Sequence, residues 1–503
     1  MISLTRRPKH ATAALALAVC AVSGVVNPTL AATAPTSAPQ SLAAAGPTRP
    51  NILLITVDDA AASDLRWMPQ VRRLIGRHGV QATNALAPTP LCVPARATLL
   101  TGQYAHNHGA LGIRGRHGGV TSLDDRDTLP VWLRRAGYDT YFVGKYLNGY
   151  GRATPKRYVP PGWTGWRGSV DPFTYNYART VTNRDGRIVR DARYSTDSFA
   201  RLANQAIRRE GRDADPFYLW VNYVAPHKGG PREPDDPRHR IKGHQIATPA
   251  VAPRHRDRFD HVRLPKVPSL FKTPGRSFVN ATKRPWAKRA RVALRESYQQ
   301  RIESLRAVDE AVGSHVRALR RSGQLEETLI AFTSDNGFLV GQHNLNGKLW
   351  FYQEAVQVPL VIRGPGVAKG LTVDGVVSHA DLPVTFAAAA GATPTRQVDG
   401  LDLRPLLAGG REIGGQSVDE RVVPIAAYPI TARSTKRLYS GVRVGNRWSY
   451  AVSPSGVEEI YDLRRDRYQL DNLARSTAHA PQRAWLRALA RQYRACAGTA
   501  CQR

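Results

Sequence analysis

Two short apolar runs, each ending in acidic residues, constrain the fold of this chain more than any other feature. Asn51 to Val57 (NILLITV) runs into Asp58-Asp59, and Leu329 to Thr333 runs into Ser334-Asp335-Asn336-Gly337. Runs of this length without polar alternation read as strands covered on both faces, the mark of a parallel sheet between helices. In open α/β sheets the C-terminal strand ends face the ligand crevice. The two acidic pairs are therefore expected to face a ligand.

The rest of the chain fits an α/β frame. Met68 to His78 and Pro94 to Leu100 read as helices, the second with Pro94 in the tolerated first turn. Tyr141 to Val143, Phe217 to Val224 and Val358 to Ile362 read as further strands. From Tyr298 to Leu319 the apolar positions fall three and four apart, which predicts an amphipathic helix. Residues 228–287 are rich in Pro, Arg, Lys and His and read as a long basic insertion, either a loop over the site or a poorly ordered segment. After about residue 370 the texture changes. Tyr439 to Val452 alternates around Gly445-Asn446 like a hairpin, and a last helix is expected from Pro481 to Tyr493. A chain of 503 residues is too long for one hydrophobic core. The expected organisation is an α/β catalytic domain over 49–390 and a smaller α+β unit over 391–503 with an antiparallel sheet.

The first 34 residues read as an export signal. Arg6, Arg7 and Lys9 precede an apolar, alanine-rich stretch from Ala11 to Val26, and small residues surround Ala31 to Ala34. A linker follows over 35–48. Thr5-Arg6-Arg7 is similar to a twin-arginine signal, so two export routes stay open. A secreted protein with no integral membrane segment after signal removal is the expectation. Cys496 and Cys501 are spaced to close a small disulfide loop in an oxidising compartment. Cys20 lies in the signal, so Cys92 stands alone.

The formal net charge is +33. Such a field attracts polyanions. The chain has no zinc-ligand spacing, RNP-like motif or basic heptad helix, so nucleic acid is not the expected partner. A sulfated polysaccharide is one, and simple arginine enrichment is the plainer explanation.

Asp58, Asp59, Asp335 and Asn336 supply carboxylate and amide oxygens, the donor set of a hard divalent cation. A strand-end Asp-Asp is more often a turn or helix cap when taken alone. Likewise Lys145 and Lys348 alone read as solvated lysines, and His227 as a hydrogen-bonded loop histidine. Trp163 and Trp166 read as core packing at least as readily as a sugar platform.

The segment Cys92-Val93-Pro94-Ala95-Arg96, continued by Ala97-Thr98-Leu99-Leu100-Thr101-Gly102, resembles the type I sulfatase signature. That signature is Cys-x-Pro-Ser-Arg followed by a helix ending in Thr-Gly, and Ala95 here replaces the usual serine. Further matches follow in order: Asp58-Asp59, Gly144-Lys145-Tyr146-Leu147-Asn148, Ala225-Pro226-His227, Thr333 to Gly337, Gly341-Gln342-His343 through Lys348, and Glu459 to Leu463 with Asp471-Asn472-Leu473. Gly-Lys-Tyr-Leu-Asn followed by Val159 to Trp163 is similar to the N-acetylglucosamine-6-sulfatases and the extracellular heparan sulfatases.

The resemblance implies an alkaline-phosphatase-like fold and a formylglycine made from Cys92 by a maturation enzyme. It implies a calcium ion, with magnesium as the alternative, on Asp58, Asp59, residue 92, Asp335 and Asn336. Arg96 and Lys145 would stabilise the hydrated aldehyde, and Lys348 or His227 would bind sulfate and protonate the leaving alcohol. Asn148 and His343 are candidates for substrate contact. The implied reaction removes sulfate from a sulfated amino sugar of the N-acetylglucosamine-6-sulfate type. The alternatives are a phosphonate or phosphate ester hydrolase of the same superfamily, and an inactive basic glycan-binding homologue that keeps Cys92 as a thiol.

Overall fold

Strand β1 (Asn51–Val57) is buried along its whole length. Ile52 and Leu54 enter one hydrophobic core, while Leu53, Ile55 and Val57 enter another on the opposite face. Successive strand side chains point to opposite faces, so a run apolar at both parities must lie inside a sheet with both faces covered.

The computed structural model describes residues 49–210, 215–238, 240–241, 244–279 and 286–503. The expected signal and linker lie outside them. Nine further strands join β1 in a ten-stranded sheet. They are β2 (Val80–Leu86), β3 (Asp139–Gly144), β4 (Gly165–Ser169), β5 (Thr180–Arg184), β6 (Arg187–Asp191), β7 (Phe217–Asn222), β8 (Thr328–Ser334), β9 (Leu360–Arg363) and β10 (Leu371–Ser378). Their order is β10-β2-β9-β8-β1-β7-β3-β4-β5-β6. The central run β8-β1-β7-β3-β4 is parallel. Antiparallel pairs flank it at β8-β9-β2 and β4-β5-β6. The sheet is thus mixed and mostly parallel at its centre.

Helices cover both faces. On one side lie α1 (Pro69–Leu74), α3 (Ser195–Glu210) and α4 (Lys288–Arg321). On the other lie α2 (Cys92–Thr101), the short helix Leu129–Arg135, and α5 (Asp381–Ala390). A four-stranded antiparallel sheet follows: β11 (Val422–Ala427), β12 (Tyr439–Val444), β13 (Trp448–Val452) and β14 (Glu458–Asp462). It shares a core with α6 (Ala480–Tyr493). The expected fold class, a large α/β sheet with a C-terminal antiparallel sheet, is the observed one. Cys496 and Cys501 form a disulfide. Among the described residues no helix is long and apolar enough to cross a membrane.

Two local expectations need correction, and one open alternative closes. The helix read over 68–78 is broken: α1 ends at Leu74 and a single 3₁₀ turn follows. The chain must then pass tight against β9, since a Cβ on Gly79 would lie 2.0 Å from the Ile362 carbonyl oxygen. The helix read from Tyr298 begins ten residues earlier, at Lys288. Its added turns bury Ala290, Ala293 and Leu294 in a satellite core with Ile246 and Trp286 from the insertion. That partner is too distant in sequence for periodicity to reveal. Trp166 is fully buried and stacked on Phe142 at 4.5 Å, and Trp163 packs beside it, so this pair is core packing.

Candidate active site

Parallel register brings four strand ends together. Val57 of β1 pairs with Ser334 of β8, and Gly144 of β3 pairs with Asn222 of β7. The next residues along these strands are Asp58-Asp59, Asp335-Asn336 and Lys145. All are buried. The Asp335 amide donates to the Val57 carbonyl at 3.0 Å and the Lys145 amide to the Asn222 carbonyl at 3.1 Å, locking the ends side by side.

Helix α2 meets this floor end-on, with Cys92 as its first residue after the extended Leu91. All ten of its residues are buried, and it stops at Gly102, whose φ of +67° suits a left-handed cap. The Cys92 thiol donates to Asp58 Oδ1 at 3.4 Å. One turn on, Arg96 donates from Nε to Asp335 Oδ2 at 2.9 Å and from Nη1 to the Lys145 carbonyl and Asn222 Oδ1 at 2.8 and 2.9 Å. Lys145 Nζ is paired with Asp58 Oδ2.

Lys348 closes the site from the other side. Its Nζ is paired with Asp59 Oδ1 and lies 2.8 Å from Cys92 Sγ. The loop presenting it is strained: Leu349 has φ +90°, rare for a bulky side chain. Asp59 also takes a positive φ, +76°. Its backbone carbonyl accepts from Arg301 of α4, which also donates to the Pro226 carbonyl at 3.2 Å.

The His227 ring packs at a tilt against Tyr175, centroids 4.6 Å apart, and its Nε2 lies 3.8 Å from Asp59 Oδ2. Its Nδ1 donates to the Lys228 carbonyl at 2.7 Å, which leaves Nε2 as an acceptor. Asn148 donates to the Tyr175 hydroxyl at 2.8 Å and lines the cavity. His343 does not reach the cavity. It is fully buried, stacked on Tyr352 at 3.8 Å, with Nε2 3.4 Å from Glu354 Oε2.

Burial and mutual charge set the protonation states. Burial and then the Asp58 carboxylate push the Cys92 thiol up to about 12, so it stays protonated. Burial pushes His227 down to about 3, reinforced by Lys348 and Lys145 against Asp59, so the imidazole is neutral. Burial alone would lower Lys348, but the carboxylates of Asp59 and Asp58 hold it above its ordinary value. Burial would raise Asp59, yet Lys348, by its charge and its hydrogen bond, reverses that and keeps it ionised. Asp335 is raised by burial and by Asp58.

The donor set fits a divalent cation. Carboxylate oxygens of Asp58, Asp59 and Asp335 lie within 4.8 Å of one another. Asn336 donates from Nδ2 to Asp59 Oδ1 at 2.7 Å, and its buried Oδ1 has no hydrogen-bond partner. An orphaned buried oxygen beside three crowded carboxylates is the feature a hard cation satisfies.

Above this floor opens a cavity of about 740 Å³. Cys92, Asp59, His227 and Lys348 line its base. Ile246, Ala247, Pro249 and Trp286 of the insertion, with Ile113 and Ile430, form an apolar wall. The basic insertion therefore contributes apolar residues to the cavity.

Sequence reading missed Asn222, Tyr175, Arg301 and this wall. Asn222 had a usable signal: it is a polar residue closing an apolar strand run, like Asp58 and Asp335. Arg301 had none, being one arginine on an arginine-rich helix.

A family model described as Sulfatase matches residues 50–392. An arylsulfatase of Volvox carteri is 30% identical over 520 residues, spanning 91% of this chain and 76% of the relative. An N-acetylglucosamine-6-sulfatase of Capra hircus is 27% identical over 476 residues, spanning 86% of this chain and 81% of the relative. Among solved structures, a protein in complex with its substrate D-glucosamine-2-N,6-O-disulfate superposes with a TM-score of 0.73 at 20% identity, covering 90% of this chain and 98% of that one. At that identity the likeness is one of fold.

Proposed function

Because this chain belongs to the sulfatase family and is a sulfuric ester hydrolase, we propose that it removes the 6-sulfate of a glucosamine-type sugar. In this reading residue 92 is converted from cysteine to formylglycine by a maturation enzyme. Asp58, Asp59, Asp335 and Asn336, with residue 92, hold one calcium ion, or magnesium in its place. The leader-like residues 1–34 support export to the extracellular space.

The observation that supports the reading most is the position of residue 92. It sits at the N-terminus of a fully buried helix, 2.8 Å from Lys348 Nζ and 3.4 Å from Asp58 Oδ1, over three carboxylates and an unpartnered amide oxygen. A thiol held at about 12 is a poor nucleophile. The proposed conversion gives that position different chemistry. A hydrated aldehyde supplies it: one hydroxyl to attack sulfur and a second through which the sulfated residue collapses and expels sulfate. The cation would neutralise sulfate oxygens and acidify the attacking hydroxyl.

The chain's own residues complete the reaction. The helix N-terminus and Lys348 favour an anion above residue 92. Arg96 and Lys145 orient residue 92 and balance the carboxylates beneath it. Lys348 is the proposed proton donor to the leaving alcohol. His227 is neutral and offers only an acceptor at Nε2, so it is assigned to orienting the substrate hydroxyls. Asn148 is placed among the substrate contacts, and His343 is not.

Two measurements test the proposal. Mass spectrometry of the peptide spanning residue 92 should find the aldehyde. Turnover should be faster on N-acetylglucosamine-6-sulfate than on a phosphonate monoester. A retained thiol without turnover would turn the protein into a glycan-binding homologue, and a preference for the phosphonate would move it to the phosphonate hydrolases.

A further inference from the structure

Sulfate hydrolysis uses few of the 72 Lys and Arg residues. Some surface arginines are paired with acids: Arg254 bridges Asp197 and Glu310, and Arg487 pairs with Glu458. One concave surface departs from this pattern. A groove of about 760 Å³ runs between α6 and the loop leading into β12, and shares no lining residue with the active-site cavity.

Lys436 and Arg437 enter the groove from the loop, Arg491 from α6 and Arg494 from just beyond it. The lining contains no carboxylate, and among the described residues none of the four forms an ion pair. Lys436, Arg491 and Arg494 are exposed. Arg437 is fixed, donating from Nε to the Tyr428 hydroxyl at 3.1 Å and from Nη2 to the Arg494 carbonyl at 2.6 Å, but these contacts leave its charge uncompensated. Four like charges around one concavity repel one another, and a multivalent anion relieves that repulsion.

We propose that this groove binds a second stretch of a sulfated polysaccharide chain, as an exosite separate from the cavity that hydrolyses sulfate. Its lining favours carbohydrate over nucleic acid. Ser434, Thr435, Ser440 and Ser453 offer hydroxyls to sugar hydroxyls. Its tyrosines, Tyr428 and Tyr439, are buried and offer no ring face to a base, and its half-buried imidazole, His106, is held to the Cys496 carbonyl at 2.9 Å. The groove also adjoins the active site. Gly109 and Leu111 line the groove while Ile113 lines the cavity, and Tyr428 lines the groove while Ile430 lines the cavity. These two segments are joined by the Ile113 amide donating to the Ile430 carbonyl at 3.0 Å. A wall two segments thick separates the sites, so one extended chain can reach both and gain effective concentration.

The proposal rests on charge and shape and stands whether or not the sugar assignment above is right. Its test measures equilibrium binding of size-defined heparin oligosaccharides to the full chain in a Cys92→Ala background, which keeps the probe uncleaved. The triple variant Lys436→Ala/Arg491→Ala/Arg494→Ala is compared with Arg72→Ala/Arg73→Ala/Arg77→Ala, which removes the same charge from exposed positions around α1. The groove variant should bind about tenfold more weakly and the control less than about twofold. Thr435→Glu, which adds a carboxylate to the groove, should act in the same direction as the groove triple, with all melting temperatures preserved. Equal losses in the two triples, or no loss in either, would overturn the proposal. So would a single-stranded oligonucleotide of matched charge binding as tightly with the same dependence on the groove residues.

Discussion

The floor and the wall of the active-site cavity are built by opposite means. The floor is a charge array in which every cation has an acid: Lys145 with Asp58, Arg96 with Asp335, Lys348 with Asp59. Its geometry follows from the register of β8, β1, β7 and β3, where a slip of one residue would reverse every side chain. The wall is apolar and comes from Ile246, Pro249, Trp286 and Ile430, carried on an insertion and a C-terminal loop. On the proposed function, the difference teaches that chemistry is held by backbone hydrogen bonding, whereas substrate fit is left to loops that can change without disturbing it.

The sharpest way to break this division is to remove the reacting position. Cys92→Ala deletes one small group at a helix terminus and is expected to abolish turnover, by about a thousandfold or more. Melting temperature should stay within a few degrees. Steady-state assays and thermal denaturation check both halves, and residual activity at a tenth of the parent would sink the role of residue 92.

Next is the floor's dependence on its acids. Asp335→Ala leaves Arg96 Nε buried without its partner, which costs about 3–5 kcal/mol. It should also lose bound metal and activity together. Metal analysis of the purified variant reports the first, and exhaustive chelation of the parent should reproduce the loss of activity and be reversed by added calcium. Full activity after chelation would remove the cation from the floor.

These two regions were unequally legible in the sequence. Asp58-Asp59 and Asp335-Asn336 announced themselves because an acid closing an apolar strand is locally anomalous, and parallel pairing turns such anomalies into neighbours. Cys92, Arg96, Lys145 and Lys348 were named through motif likeness rather than physics, and the fold brings all four to the same floor. His343 was named the same way and lies against Tyr352 and Glu354, outside the cavity. The wall was invisible. Ile246 and Trp286 sit in a segment whose average is basic and polar, and their burial depends on the early turns of α4, which have no local signal of their own. Composition averages over a segment, whereas a cavity is lined by its exceptions.

A wall substitution should therefore change binding and spare chemistry. Ile430 lines the cavity and is 44% exposed, so Ile430→Ala should alter stability by less than about 0.5 kcal/mol. KM for a saccharide substrate should rise about threefold to tenfold at constant kcat, the signature of uniform binding. A fall in kcat with unchanged KM would mean the wall takes part in the transition state and the division fails.

The smallest expected effect concerns how the insertion is fastened to α4. Glu303 Oε1 accepts from the Phe259 amide at 2.9 Å. Burial raises its carboxyl to about 7, reinforced by Asp260, Asp257 and Glu296 nearby. With the folded value above the ordinary 4.5, the native state holds a proton that the unfolded chain has released between those two values. Stability from this group is complete below about 4.5 and declines as pH rises to about 7, because ionisation then places a charge where burial resists it. Glu303→Gln keeps the acceptor and removes the titration. It should raise stability at pH 8 by about 1–2 kcal/mol and leave it unchanged at pH 4. Denaturation at the two pH values reads the difference. A gain equal at both would show that Glu303 is already neutral or already ionised throughout, and that the wall's attachment does not respond to pH through this residue.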